Sequence, residues 1–198
     1  MSPLLIALPK GRIGDELVPK LRGTALALDE AALKGRILHI PTATPGVEAL
    51  LLKGADLPRY VAAGVAALGV VGSDTLDELD ADLLELADLG FGACRLSLCA
   101  KRGTTLADLT ARTHLRLATK FTRATERWLQ REGLVAELVP LQSSVELAPL
   151  LGLADAIVDL VQTGSTLKAH DLEEVALLGT SSARLVASRA AFLADPAR

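Results

Sequence analysis

The stretch Ala154-Asp155-Ala156-Ile157-Val158-Asp159-Leu160-Val161-Gln162-Thr163-Gly164-Ser165-Thr166-Leu167 decides how the chain is to be read. A short apolar run of strand length passes directly into Thr-Gly-Ser-Thr, which reads as a buried strand followed by a loop. That loop suits a phosphate monoester. Glycine lets the backbone approach closely, successive N–H groups form an anion-binding nest, and the hydroxyls add donors. A helix beginning near Thr166 would add its positive end to the field. Asp159 lies inside the apolar run, four residues before the loop, where an acid is costly unless something uses it. Ribose hydroxyls would use it, and so would a magnesium ion on a pyrophosphate. Asp155 is an even number of residues away and faces the same way in a strand. Taken alone, Thr-Gly-x-Thr is a short motif, and an acid at a strand end with a Ser/Thr helix cap explains it equally well.

Outward from this segment, further short apolar runs read as strands: Leu4–Leu8, Arg36–Ile40, Ala66–Val71, Arg95–Ala100, Leu115–Thr119, Ala136–Pro140 and, as an eighth, Ala183–Ser188. Helical stretches separate many of them. One opens at Asp56, a capping type, with Pro58 in the first turn. Thr122–Glu132 ends at Gly133, just after Arg131. Gly14–Leu28 is a weaker helix carrying Pro19 and Gly23. Ser144–Leu151 carries Glu146 in its first turn, where the helix dipole favours an acid. Strands alternating with helices predict an α/β protein with mostly parallel sheets. Glycine-rich breaks at Gly90-Phe91-Gly92 and Gly103 flank the strand Arg95–Ala100, so this strand is expected to cross between two lobes. The expected lobes are residues 1–95 with 179–198, and residues 96–178.

Composition narrows the function classes. Of 198 residues, half are hydrophobic, enough for a well-buried core. The net charge is −3 and aromatics make up 3%, so a nucleic-acid surface of basic runs and stacking platforms is not expected. No apolar stretch has the length of a membrane span, and charge follows the first apolar run instead of preceding it; both point to a cytoplasmic protein. Cys94 and Cys99 are expected as buried thiols. His39, His114 and His170 lack the spacing of metal ligands, so no protein-held metal is expected. Trp128, beside Leu129 on a helical stretch, reads as core.

A longer window is more specific than the loop alone. Glu146, Gly152, Ala154, Ile157, Asp159, Leu160 and Thr163-Gly164-Ser165-Thr166-Leu167 together resemble the signature of the ATP phosphoribosyltransferases. Leu4–Arg12, Leu68–Asp74 and Leu89–Leu96 resemble other segments of that family, so the likeness runs to about Ala169. Lys53 stands where the family commonly has arginine, keeping the charge and losing the planar fork.

The resemblance implies a fold similar to the two-lobed periplasmic binding proteins, with the active site in the cleft between lobes. It implies transfer of the 5-phosphoribosyl group of phosphoribosyl pyrophosphate (PRPP) to N1 of ATP, the first step of histidine biosynthesis. The chain looks like the short form, whose members work with a regulatory subunit resembling a histidyl-tRNA synthetase. A homodimer within a larger hetero-oligomer follows. Thr163, Gly164, Ser165 and Thr166 are expected to hold the 5-phosphate. Asp159, with Asp155 on the same rim, is expected to serve the ribose or the developing positive charge, and Glu146 the ribose or metal-bound water. Lys10, Gly11 and Arg12 are expected on pyrophosphate or the ATP phosphates, with Asp74 and Arg95 as further contacts. Magnesium is expected to ride on the substrate phosphates. Two other classes were weighed. Ordinary phosphoribosyltransferases usually carry two adjacent acids before the loop, whereas Leu160 follows Asp159 here. A non-catalytic solute-binding module shares the lobed fold, and no export signal is visible.

Overall fold

The structure, a computed structural model, describes residues 3–33 and 37–194. In chain order the elements are β1 (Leu4–Pro9), α1 (Arg12–Leu21), α2 (Glu30–Leu33), β2 (His39–Pro41), β3 (Val47–Leu52), α3 (Leu57–Ala62), β4 (Leu68–Gly72), α4 (Ser73–Leu79) and β5 (Leu83–Asp88). They continue with β6 (Cys94–Lys101), α5 (Leu106–Thr110), β7 (Arg116–Thr119), α6 (Thr122–Glu132) and β8 (Glu137–Pro140). A 3-10 turn at Val145–Leu147 precedes β9 (Ala156–Val161), α7 (Ser165–Ala169), β10 (Leu172–Ser181), β11 (Ala183–Ser188) and α8 (Arg189–Ala194).

The chain divides into two compact units, Met1–Gly92 with Ser182–Arg198, and Ala93–Ser181. The crossings therefore fall after Gly92 and after Ser181. The first unit holds a six-stranded sheet in the order β2, β3, β1, β4, β11, β5. The second holds a five-stranded sheet in the order β10, β6, β9, β7, β8.

Both sheets are mixed, which corrects the expectation of mostly parallel ones. β1 runs parallel to β3 and β4, and β7 runs parallel to β8 and β9. Apart from β2, which runs against β3 at one edge, the antiparallel character enters with the strands that begin just after each crossing. β6 runs against both its neighbours, β9 and β10, and β11 runs against both of its own, β4 and β5. Strand–helix alternation predicts parallel neighbours only where a crossover helix joins strands of one sheet, and neither of these strands arrives that way.

Strands β3, β5 and β10 escaped the sequence reading for separate reasons. The β3 segment, Val-Glu-Ala-Leu-Leu-Leu, has the composition of a helix, yet it pairs with β1 at six positions from Leu4–Val47 to Pro9–Leu52. Edge strands β5 and β10 carry Glu85, Asp88, Glu173 and Glu174, which break the apolar pattern. Glu85 and Asp88 meet Arg184 on β11, at 2.9 and 3.2 Å, a pairing that only the sheet creates. The expected strand Arg36–Ile40 is reduced to β2, and its first residue lies outside the described residues.

Helix boundaries moved too. α1 ends at Leu21, with Pro19 in its last turn. Asp56 precedes α3 but makes no side-chain cap hydrogen bond, while Pro58 sits in the first turn as expected. α6 matches its predicted span, capped by Phe121 at one end and left-handed Gly133 at the other. Ser144–Leu151 forms only the 3-10 turn, because Ser144 is itself left-handed (φ 52°) and Pro149 has no N–H with which to continue an α-helix.

Four apolar clusters hold the units together. In the second unit, Trp128 and Leu129 of α6 pack on Leu117, Ala156 and Val158. Val145, Ala148 and Leu167 pack on Ala118, Ile157 and Val161, the residues of opposite parity on the same strands. The first unit repeats the arrangement. Leu17 of α1 packs on Ile6, Leu8 and Val70, and Leu57 and Val61 of α3 pack on Ala7, Val71 and Val186. Among the described residues no helix is long and apolar enough to cross a membrane.

Leu117 is completely buried and Val135 is 91% exposed. Leu117→Ala is expected to cost about 2–5 kcal/mol through lost burial and the cavity left behind, and Val135→Ala less than about 0.5 kcal/mol. Chemical denaturation of the two variants beside the wild type measures both.

Candidate active site

In the second unit the chain leaves β7 over one sheet face through α6 to reach β8. It returns over the other face, through the 3-10 turn, to β9 on the far side of β7. Loops leaving adjacent parallel strands toward opposite faces open a crevice at the strands' carboxyl ends, where α/β sheets bind ligands. β7 and β9 flank that switch point. The first unit has its own between β1 and β4, since α1 and α3 cover opposite faces of its sheet.

Asp159 lies near the carboxyl end of β9, opposite Ser97 of β6. Its Oδ1 is buried and accepts no hydrogen bond from any described residue. The Lys120 ammonium, on the first residue past β7, stands 3.6 Å from that oxygen. An ionised oxygen removed from water without a donor is costly, so its position at a switch point marks it as a group awaiting a ligand. Lys120 escaped the sequence reading, although like Lys10 it is a cation directly after a buried strand.

The Thr163–Thr166 loop follows β9. Gly164 adopts a left-handed conformation (φ 76°) and precedes α7. Thr163 Oγ1 and Ser165 Oγ lie 3.1 Å apart, and the Ser165 N–H donates to Thr163 Oγ1 at 3.4 Å. Thr163, Ser165 and Thr166 are exposed, while Leu167 anchors α7 in the core. Glu146 sits half-buried in the 3-10 turn after β8, at the carboxyl edge of the same sheet.

Two expected residues stand apart from this group. Asp155 precedes β9, so it lies at the opposite end of the strand from the loop, four residues or about 13 Å from Asp159. Same-face parity did not bring them together, because strand rise separates them. Its carboxylate is also engaged: Oδ1 accepts from Arg112 at 3.0 Å and Oδ2 from the Arg116 N–H at 2.8 Å. Arg95 does sit at the loop's edge, paired in register with Val161. Its guanidinium, however, forks onto Glu174 of β10, Nε to Oε2 at 2.9 Å and Nη2 to Oε1 at 2.7 Å.

That fork, together with a 2.7 Å hydrogen bond from Ser97, holds the Glu174 carboxyl below its ordinary range. Burial pushes the Cys99 thiol up to about 12, and the nearby Glu174 and Asp159 charges push the same way. Cys94 and Cys99 are both buried, as expected.

In the first unit, Lys10, Gly11 and Arg12 follow β1, and Asp74 follows β4, at the carboxyl ends of adjacent parallel strands. The Lys10 N–H donates to the Leu52 carbonyl at 2.7 Å, which pins the loop to β3. Gly11 (φ 75°) turns the chain into α1. Gly14 is required by contact: a Cβ there would fall 1.9 Å from the Pro9 carbonyl oxygen, which is backbone and cannot yield. The Arg12 guanidinium donates to the Gly92 carbonyl at 2.7 Å, and the Gly92 N–H donates to Glu16 at 3.2 Å. Arg12 thereby anchors the segment leaving this unit. Asp74 lies in the first turn of α4, its Oδ1 folded over Gly72, where a Cβ would meet it at 2.3 Å. Among the described residues no cluster of three or more His, Cys, Asp or Glu side chains could hold a metal ion.

A two-unit α/β chain with a ligand-type loop at a switch point defines a class, and comparison with known proteins narrows it. The fold resembles the aliphatic sulphonate binding protein SsuA of Escherichia coli (TM-score 0.61, 16% identity, 100% of this chain and 68% of that one). It is closer to the structure titled "ATP phosphoribosyl transferase (HisG:HisZ) complex" from Thermotoga maritima (TM-score 0.81, 27% identity, 98% of this chain and 91% of that one). A family model described as "HisG: ATP phosphoribosyltransferase" matches residues 53–198. ATP phosphoribosyltransferases of Moorella thermoacetica and Deinococcus deserti are 44% and 47% identical to this chain, over 96% and 95% of it and 85% and 84% of their own lengths. The chain belongs to the ATP phosphoribosyltransferase family.

Two outcomes test the site's local physics. A glutamate whose folded-state pKa is lowered contributes stability that is present above its ordinary value of 4.5 and lost as pH falls through the lowered one. Arg95→Gln removes the main cause of that lowering, so its melting temperature falls below wild type at pH 7 and the gap closes as the solution is acidified. Gly164→Ala meets only Val161 Cγ1, at 3.9 Å, so its cost is conformational. It is expected to lose about 1 kcal/mol and to weaken PRPP binding in calorimetry.

Proposed function

We propose that this chain transfers the 5-phosphoribosyl group of PRPP to N1 of ATP and releases pyrophosphate, the first step of histidine biosynthesis. The observation that carries this reading is Asp159, whose buried Oδ1 has no hydrogen-bond donor among the described residues, four residues before the Thr-Gly-Ser-Thr loop in a member of this family. The loop hydroxyls and backbone N–H groups receive the 5-phosphate. This leaves the ribose directed back along β9 toward Asp159, whose carboxylate accepts its hydroxyls.

N1 of adenine attacks the anomeric carbon of PRPP, and the bond from that carbon to the pyrophosphate oxygen breaks. The electron pair leaves with pyrophosphate. As that bond lengthens, positive charge develops on the ribose ring, and the preorganised carboxylate of Asp159 stabilises it. Glu146 assists at the ribose. Lys10, Gly11 and Arg12, with Asp74, serve the ATP phosphates or the leaving pyrophosphate, where an N–H-rich turn and two cations offset negative charge. The Arg95 fork with Glu174 makes that residue a support for the loop's edge in this reading. Asp155 supports the opposite end of β9.

Magnesium would be carried on the substrate phosphates, as it prefers phosphate oxygens and water, and would supply charge neutralisation for pyrophosphate there. Positioning and electrostatics carry the rate, with no covalent intermediate on the protein. The chain acts in the cytoplasm as a catalytic subunit, a homodimer partnered by a regulatory subunit resembling a histidyl-tRNA synthetase. The structurally similar enzyme of T. maritima, solved as a HisG:HisZ complex, supports the partnership.

Purified chain with ATP, PRPP and magnesium is expected to release pyrophosphate and form an adenine-linked product, alone or with the regulatory subunit. Asp159→Ala should lower turnover by about two orders of magnitude or more. Turnover with free adenine or orotate in place of ATP, or none in either sample, overturns the reading.

A further inference from the structure

Lys120 is absent from the signature that led to this site, yet the fold delivers it there. β7 and β9 pair in parallel with Thr119 beside Val158, so the residue after β7 comes next to the residue after Val158. Those residues are Lys120 and Asp159. The Thr119 hydroxyl donates to the Val158 carbonyl at 2.7 Å, locking the register where the pair forms. Thr119 is fully buried, so this bond is shielded from water.

The separation itself carries information. At 3.6 Å the Lys120 ammonium is too far from Oδ1 for a hydrogen bond and close enough to offset its charge. The ammonium also stands over the Phe121 ring, 5.0 Å from its centroid. A cation over an aromatic face is attracted to it, and Phe121 is itself held in the core with 5% exposure. The ring thus restrains the ammonium from closing onto Oδ1. Asp159 keeps both a compensating charge and an unoccupied acceptor.

We infer that Lys120 is a positioning residue for the phosphoribosyl transfer: its charge lies against the buried Oδ1 of Asp159 and holds that carboxylate aimed at the ribose. This rests on the reading of Asp159 proposed above. Lys120 acts through Asp159 and makes no contact with the reacting atoms. Its influence belongs to the PRPP half of the reaction.

The test is a double-mutant cycle in steady-state turnover of the full chain, with the regulatory subunit present if turnover needs it. Lys120→Met is expected to lower kcat/KM for PRPP about tenfold while KM for ATP stays within about twofold. Lys120→Arg, which keeps the charge, should recover most of that loss. In an Asp159→Asn background, Lys120→Met should add less than about a twofold further loss, since the charge it offsets is gone. Melting curves identify any variant that fails to fold; if Lys120→Met does, Lys120→Gln takes its place.

Equal losses with respect to ATP and PRPP, no recovery with arginine, or an additive loss in the Asp159→Asn background each overturn the role of Lys120 and leave Asp159 standing. Full turnover in Asp159→Asn alone removes the Asp159 assignment and this proposal with it.

Discussion

Strand β9 is hydrogen-bonded on one edge to a parallel strand and on the other to an antiparallel one, and most of its side chains are buried. Everything at the site depends on that double pairing. β7 supplies the register that brings Lys120 beside Asp159. β6 closes the other edge and sets Ser97 opposite the same acid. Its second residue is Arg95, which Glu174 takes up from β10. The phosphate-type loop then leaves a strand that cannot shift in either direction without breaking a ladder.

The insertion of β6 and β11 explains how such rigid sheets arise in a chain whose second unit interrupts the first. Each strand begins directly after a crossing and is clamped between two antiparallel neighbours. The departure point is tied down as well, since Arg12 and Glu16 of α1 hold the carbonyl and N–H of Gly92. A residue expected to meet substrate phosphate therefore also anchors the backbone where the chain leaves its unit. The two units share one design, a central strand flanked by two parallel neighbours whose connecting elements lie on opposite faces. Each places its candidate ligand residues at the carboxyl ends.

Charges on this framework divide by their partners. Arg95 with Glu174, Arg112 and Arg116 with Asp155, and Arg184 with Glu85 and Asp88 are ion pairs that join neighbouring elements. Asp159 differs because its nearest cation stops short of a hydrogen bond. Burial alone would not separate these acids, since Asp155 is the less exposed of the two. What separates them is whether a donor reaches the oxygen.

The amino-acid sequence by itself determined the α/β class, the central strands and the loop that ends β9. Those features are local: an apolar run, a glycine with positive φ and a cluster of hydroxyls act through neighbours in the chain. It also marked Asp159, because an acid inside an apolar run is conspicuous without any structure. Tertiary structure decided the rest. The helix-like composition of β3 yielded to pairing with β1, and the acids of β5 and β10 became strand residues once arginines on adjacent strands met them. Parity set Asp155 beside Asp159 on paper, whereas strand rise put it at the far end. Lys120 became a site residue only through the register of β7 against β9, a contact between segments some forty residues apart that no local pattern encodes.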